Sequence, residues 1–357
     1  MVELCCNCMN PMANPPTCEH CGFDNQGKNP DHALPRGTVV RGKYLIGRFM
    51  DYRDYCRVYM GFDFMKQEAV VIREYFSNED PDFDFAALQD QIIQRVLTQK
   101  RLPPMPAMIT PYEWLEENDR YYLIEKKPEG ENLRSFMSKS GKTFEAPQLL
   151  QSLKPVMQVL EVAHSEGLLQ LYITPENIVL GPEKNAVLTD FGWMFRNPCD
   201  FGSCCVGLVP GQAFLPLELW SSKGKIGPWT DVYSLCSVIW FCLTGSIPRD
   251  PGERLMDGWE PDWNSVPGLT PQQRMALRRG MAIKPENRTQ SMAQLRDDLF
   301  GSPFVNVDSV SGRDYDMPAG IPAPPLMGAM VYDPDRGSDS VPGEPPKKWW
   351  QKLFHNK

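Results

Sequence analysis

The stretch HSEGLLQLYITPENIVLGPEKNAVLTDFG, residues 164–192, decides how the chain is read. Two short apolar runs, Ile178-Val179-Leu180 and Ala186-Val187-Leu188, flank Gly181-Pro182-Glu183-Lys184-Asn185. The runs are strand-sized and the insert is turn-forming, so the segment predicts strand, turn, strand. A loop carrying Pro175-Glu176-Asn177 comes before this hairpin, and Asp190-Phe191-Gly192 comes directly after it. An Asn on one side of the hairpin and an Asp on the other can hold a divalent metal between their oxygens.

Before this stretch the pattern is β-rich. Tyr44-Leu45-Ile46, Arg57 to Met60 and Ala69 to Phe76 predict an antiparallel meander. A helix is expected from Phe83 to Lys100, broken at Leu102 to Pro106. Strands follow near Met108 to Leu115 and Tyr121 to Ile124. From Glu129-Gly130 onward the pattern is helical: Leu149, Leu153, Val156, Leu160 and Ala163 share a face at 3.6-residue spacing. Pro147 suits a first turn, and Pro155 is expected to bend the helix. Val232 to Leu243 is apolar nearly all round, as in a helix at the centre of a large domain, with Asp231 as its expected N-cap. Thr270 to Ala282 and Ser291 to Leu299 read as closing helices.

The ends differ from the middle. Residues 1–24 contain Cys5-x-x-Cys8 and Cys18-x-x-Cys21, two knuckles that together can complete a tetrahedron around zinc. Cys5, Cys8, Cys18 and Cys21 are therefore the expected Zn2+ ligands, in a structural site with no open position for water. Residues 25–37 read as a polar linker. Residues 301–346, rich in Pro, Gly, Ser and Asp, read as disordered. Residues 347–357, KKWWQKLFHNK, set Trp349, Trp350, Leu353 and Phe354 beside lysines, which suits a docking peptide or a membrane-surface anchor.

Net charge is −8 and there is no long basic run, which argues against nucleic acid as a partner. No window approaches the ~18 apolar residues of a membrane span. The start, MVELCCNC, has no basic-then-apolar signal pattern, and the odd count of 11 cysteines fits reduced thiols, so a cytoplasmic protein is expected.

The element order, with VVIREYF, EGENL, AHSEGLL, ITPENIVL, TDFG, PLELW, GPWTDVYSL, LTGSIPRD and NRTQSMAQL, resembles the protein kinase fold over residues 38–300. It is most similar to bacterial Ser/Thr-kinase-like proteins with an N-terminal zinc ribbon. The resemblance implies an α+β, two-lobed domain: a small β-rich N-lobe over 38–127 and a helical C-lobe over 128–300, with a nucleotide cleft between them. It implies structural roles for Asp231, tying the catalytic loop, and for Glu218 with Arg288, a buried ion pair.

The same resemblance exposes what is missing. The glycine positions of the phosphate loop hold Asp51, Arg53 and Cys56, so no close backbone approach to phosphates is expected. Arg73 stands where a lysine grips phosphate. Its glutamate partner should come from the helix after Phe83, yet no Glu occurs between Asp80 and Tyr112. Tyr172 stands where an aspartate accepts the substrate proton, and a tyrosine is no carboxylate base near neutral pH. Glu176, four residues on, is expected to point elsewhere. Arg73, Asn177 and Asp190 are left as remnants of an ATP/Mg2+ site, with a loop-shaping role for Asn177 and Asp190 ranked ahead of ligand binding. These parts act as a unit, so the expected function is a pseudokinase that signals through protein partners. The alternative is an atypical ATP-dependent protein serine/threonine kinase with degenerate motifs.

Overall fold

In the computed structural model, residues 3–53, 56–76, 85–190, 212–220 and 224–301 are described. The expected linker at 301–346 beyond Gly301, the peptide at 347–357, and Phe191 and Gly192 lie outside them. Among the described residues no helix is long and apolar enough to cross a membrane.

The N-lobe is a six-stranded antiparallel sheet. Its strands are β1 (Val39–Val40), β2 (Tyr44–Arg53), β3 (Cys56–Asp63), β4 (Glu68–Tyr75), β5 (Pro111–Glu117) and β6 (Arg120–Lys126), in the order β1-β2-β3-β4-β6-β5. Helix α1 (Phe85–Arg101) is inserted between β4 and β5. Register shows how the alternating side chains divide between two faces. Tyr59 pairs with Ile72 and Ile72 with Ile124, and all three lie in one buried cluster. One residue along, Val58 pairs with Arg73 and Arg73 with Leu123; Val58 and Leu123 join Ile92 and Val96 of α1 in a second cluster. The period of two thus sends Arg73 to the α1 face.

Residues 25–37 are packed, unlike the linker their composition predicts. Asn29 donates to Leu34 O at 2.8 Å and Gly47 O at 2.9 Å, and its Oδ1 accepts from Phe49 N at 2.9 Å. Leu34 N donates to Tyr59 Oη at 3.0 Å. One buried Asn therefore binds the segment to β2, a tertiary effect that composition does not carry.

Residues 3–24 also rest on the sheet. Arg48 N donates to Cys6 O at 2.7 Å, and Met9 packs with Met60 and Phe62. A Cβ at Gly47 would lie 2.1 Å from Met9 Cε, 2.5 Å from Cys6 O and 2.9 Å from Met60 O. The methionine end could move, but the two backbone carbonyls could not, so glycine is required by space. We expect Gly47→Ala to lower stability by about 1–3 kcal/mol and to speed proteolytic cleavage near residue 25. Unchanged urea midpoint and cleavage rate would contradict this packing.

The C-lobe is built on α3 (Ala146–Ser165) and α4 (Pro228–Thr244), joined by α2 (Leu133–Ser140), α5 (Pro251–Asp257), α6 (Pro271–Gly280) and α7 (Met292–Phe300). Helix α3 runs its 20 residues through Pro155 and buries Leu149, Leu153, Val156, Leu160 and Ala163, the periodic face read from the sequence. Every residue of α4 from Thr230 to Leu243 is buried. Its N-cap is Gly227, not Asp231. Pro228, with its φ fixed in the helical range, starts the helix earlier, and Thr230 Oγ1 accepts from Gly227 N at 3.2 Å. Helices α6 and α7 are capped by Thr270 and Ser291, whose side chains accept from Gln273 N and Gln294 N. A second small sheet, β7 (Glu131–Asn132), β8 (Ile178–Leu180) and β9 (Ala186–Leu188), contains the hairpin read from 164–192.

Candidate active site between the lobes

The loop before β8 is held from below. Asp231 Oδ2 accepts from Gln170 N at 2.8 Å and Oδ1 from Leu171 N at 2.7 Å, and Oδ2 lies 2.8 Å from His164 Nε2. This is why Asp231 is not free to cap α4: its carboxylate, fully buried, satisfies two loop N–H groups. Glu218 and Arg288 meet at 2.6 Å and 3.4 Å, both buried, with Thr230 Oγ1 donating to Glu218 at 3.1 Å.

Tyr172 sits at the position compared above with a proton-accepting aspartate. It is 2% exposed and packs with Leu171, Leu215 and Leu219. The nearest acid on the loop, Glu176, is turned away: Arg134 Nε of α2 donates to its Oε1 at 2.8 Å. Asn177 is 1% exposed and used within the loop. Its Nδ2 donates to Tyr172 O, and its Oδ1 accepts from Thr174 N at 2.9 Å. Asn177 and Asp190 thus flank the hairpin as read, but each is engaged by protein.

Asp190 has a positive φ of 62°, and its Oδ1 accepts from Arg73 Nη2. Arg73 Nε donates to Glu125 Oε2 at 2.7 Å. All three side chains are at least 85% buried, with 6%, 5% and 15% exposure for Arg73, Glu125 and Asp190. Burial works to lower the Arg73 pKa, but Asp190 and Glu125 together hold it well above its ordinary value. Burial, with Asp190 adding to it, raises the Glu125 carboxyl against the pull of Arg73. Glu125 was missed by sequence reasoning, which sought the partner of Arg73 on α1. Helix α1 has no glutamate, as read, and the partner comes from β6 instead. Val71 pairs with Glu125 and Arg73 with Leu123, so Arg73 and Glu125 are diagonal neighbours on one face. The available signal was Glu125 itself, an acid directly after the apolar run Tyr121 to Ile124 and in step with Tyr121 and Leu123.

Where a glycine-rich loop would lie, β2 and β3 pair up to Arg53 opposite Cys56, and Asp51 pairs with Val58. Cys56 is buried in the α1-face cluster. These positions extend a ladder instead of opening backbone N–H groups to a ligand.

In residues 3–24 the four thiols Cys5, Cys8, Cys18 and Cys21 come together, with ligand atoms all within 4.8 Å of one another. Cys5 and Cys21 are 3.7 Å apart and Cys8 and Cys18 3.6 Å. A tetrahedral Zn–S bond of about 2.3 Å requires S···S edges of about 3.8 Å, so the set fits that ion. Asn7 N and Asn10 Nδ2 donate to Cys5 Sγ and Cys8 Sγ at 3.4 Å and 3.5 Å, which suits thiolates. The spare Cys6 is outside the cluster.

The profile of the protein kinase domain matches residues 54–261, more than half of the 357-residue chain. The chain belongs to the protein kinase domain family. This kinase-family chain is 24% identical over 277 residues to CBL-interacting serine/threonine-protein kinase 5 of Arabidopsis thaliana, covering 75% of this chain and 60% of that one. It is 25% identical over 272 residues to the serine/threonine-protein kinase PknD of Mycobacterium tuberculosis, covering 74% of this chain and 40% of PknD. The chain therefore spans less than two thirds of these relatives. The solved structure of PpkA-294 in its apo form superposes with a TM-score of 0.61 at 24% identity, covering 75% of this chain and 99% of that one. That likeness is one of fold: the two-lobed kinase architecture with a β-sheet N-lobe.

Proposed function

We propose that the chain is a catalytically inactive protein-kinase-like module that acts through protein–protein contacts. The observation that carries the reading is the loop at 170–177. Its base position is the buried Tyr172, and its one nearby acid, Glu176, is paired with Arg134. A positioned general base contributes about 10²–10⁴-fold, and here no loop carboxylate is placed to act as one. The β2–β3 ladder and the engaged Arg73 remove two more parts of a set that acts as a unit.

Asp231 as the tie of the loop and Glu218 with Arg288 as the frame of the C-lobe belong to the same reading. So does a structural zinc ribbon over 1–24, with Cys5, Cys8, Cys18 and Cys21 as ligands. A protein partner is in keeping with a relative that is named for its interaction with CBL. A cytoplasmic location, and contact with partners or a membrane surface through 347–357, complete the proposal.

The second reading, an atypical ATP-dependent serine/threonine kinase, is favoured by relatives named as such kinases and by Asn177 and Asp190 flanking the hairpin. Incubation with γ-labelled ATP and Mg2+ separates the two. The module reading expects label at background on the chain and on a general acceptor protein.

A further inference from the structure

We propose that Glu125 stands in for a nucleotide phosphate, so that the chain closes its own cleft with an internal ion latch. The inference rests on the module reading but concerns binding, not transfer. Arg73 belongs to β4 and Glu125 to β6 of the N-lobe; Asp190 follows β9 of the C-lobe. The Arg73–Glu125 pair stays within the sheet, and the Arg73–Asp190 pair runs from the sheet across to the C-lobe. In a nucleotide complex of this family, the cation on β4 meets phosphate and the Asp after the hairpin meets metal. Here the same two groups meet each other, and a second carboxylate, that of Glu125, takes the guanidinium's Nε.

Charge makes the consequence definite. Two carboxylates share one guanidinium, all three largely buried, so a phosphate reaching Arg73 must displace a carboxylate already bonded to it. A triphosphate entering the site meets repulsion from Glu125 and competition for Arg73. Screening is weak at this depth. Glu125 thus opposes anionic ligands and holds the Arg73 that ties the sheet to Asp190.

The test uses the full chain and its Glu125→Gln variant, which keeps the shape and removes the charge. The probes are ATP alone and ATP with Mg2+, followed by calorimetry and by thermal denaturation. Wild type is expected to show no binding at millimolar nucleotide. Glu125→Gln should bind at least roughly tenfold more tightly, the factor for a charge repulsion of ordinary size. The Mg2+-dependent part should vanish in Glu125→Gln/Asp190→Asn. Glu125→Ala provides a second variant if Glu125→Gln melts without ligand. Wild-type binding equal to that of the variants, or no gain in either variant, overturns the latch. Neither outcome touches the module reading, which falls only if phosphoryl transfer is detected.

Discussion

Arg288→Ala is expected to melt far below the parent chain. Arg288 is buried, and its guanidinium donates to Glu218 at 2.6 Å and 3.4 Å. It also donates to Trp229 O at 3.1 Å, Ala282 O at 2.9 Å and Ile283 O at 2.9 Å. It lies 4.9 Å from the centre of the Tyr233 ring. Forming such a pair gains little net energy, because desolvation nearly cancels attraction. Breaking it is different. Glu218 would stay buried without the guanidinium that now faces both of its oxygens. That loss is worth about 3–5 kcal/mol, or roughly 10 °C in a lobe of this size. Thermal denaturation followed by circular dichroism measures it. The double variant Glu218→Leu/Arg288→Met should recover a large part of the loss, since it removes both charges together. A single variant within about 2 °C of the parent would show that the pair does not hold the C-lobe.

The second large effect concerns the cysteines. Cys18→Ser/Cys21→Ser is expected to take bound zinc from one ion per chain to none. In small zinc modules the binding free energy, about 10–16 kcal/mol, is also folding energy. Besides the thiols, residues 3–24 hold shape through turn hydrogen bonds, through Asn25, which bonds Cys6 N, Pro16 O and Phe23 O, and through a small cluster of Cys5, Met12 and Cys18 that itself contains two of the ligands. The loss should reach the N-lobe through Met9, which packs with Met60 and Phe62, and through the bond from Arg48 N to Cys6 O. Burying one such methionine is worth about 1.5–3 kcal/mol. Metal content by emission spectroscopy and urea midpoint should therefore fall together. Unchanged zinc would show that the ligand set is wrong. Lost zinc with an unchanged midpoint would show that the ribbon does not support the sheet.

Much of the frame was legible in the sequence because it depends on local pattern. The β8–β9 hairpin follows from two apolar runs and a Gly-Pro turn, and α3 from its 3.6-residue stripe. Helix α5 was overlooked: its seven residues bury only Pro251 and Arg254 and carry no stripe. Its ends were visible nonetheless in Asp250-Pro251 and Gly258, an N-cap and a left-handed C-cap. Strand β7 is two residues long and exists only because β8 pairs with it. The reading of Asp231 as a cap followed propensity, whereas its carboxylate is drawn to the loop at 170–171. Asn29 and Glu125 were missed for a shared reason. Each is a polar residue whose partners lie across the fold, and their identity depends on strand register that no local window contains.

The central claim is that the cleft does not transfer phosphate. The most direct measurement is γ-phosphate transfer from labelled ATP with Mg2+, comparing the full chain with its Asp190→Ala variant. Both are expected at the same background, at least roughly 10⁴-fold below the about 1–100 s⁻¹ usual for kinases. Label above background on the parent chain and lost in Asp190→Ala would contradict the account.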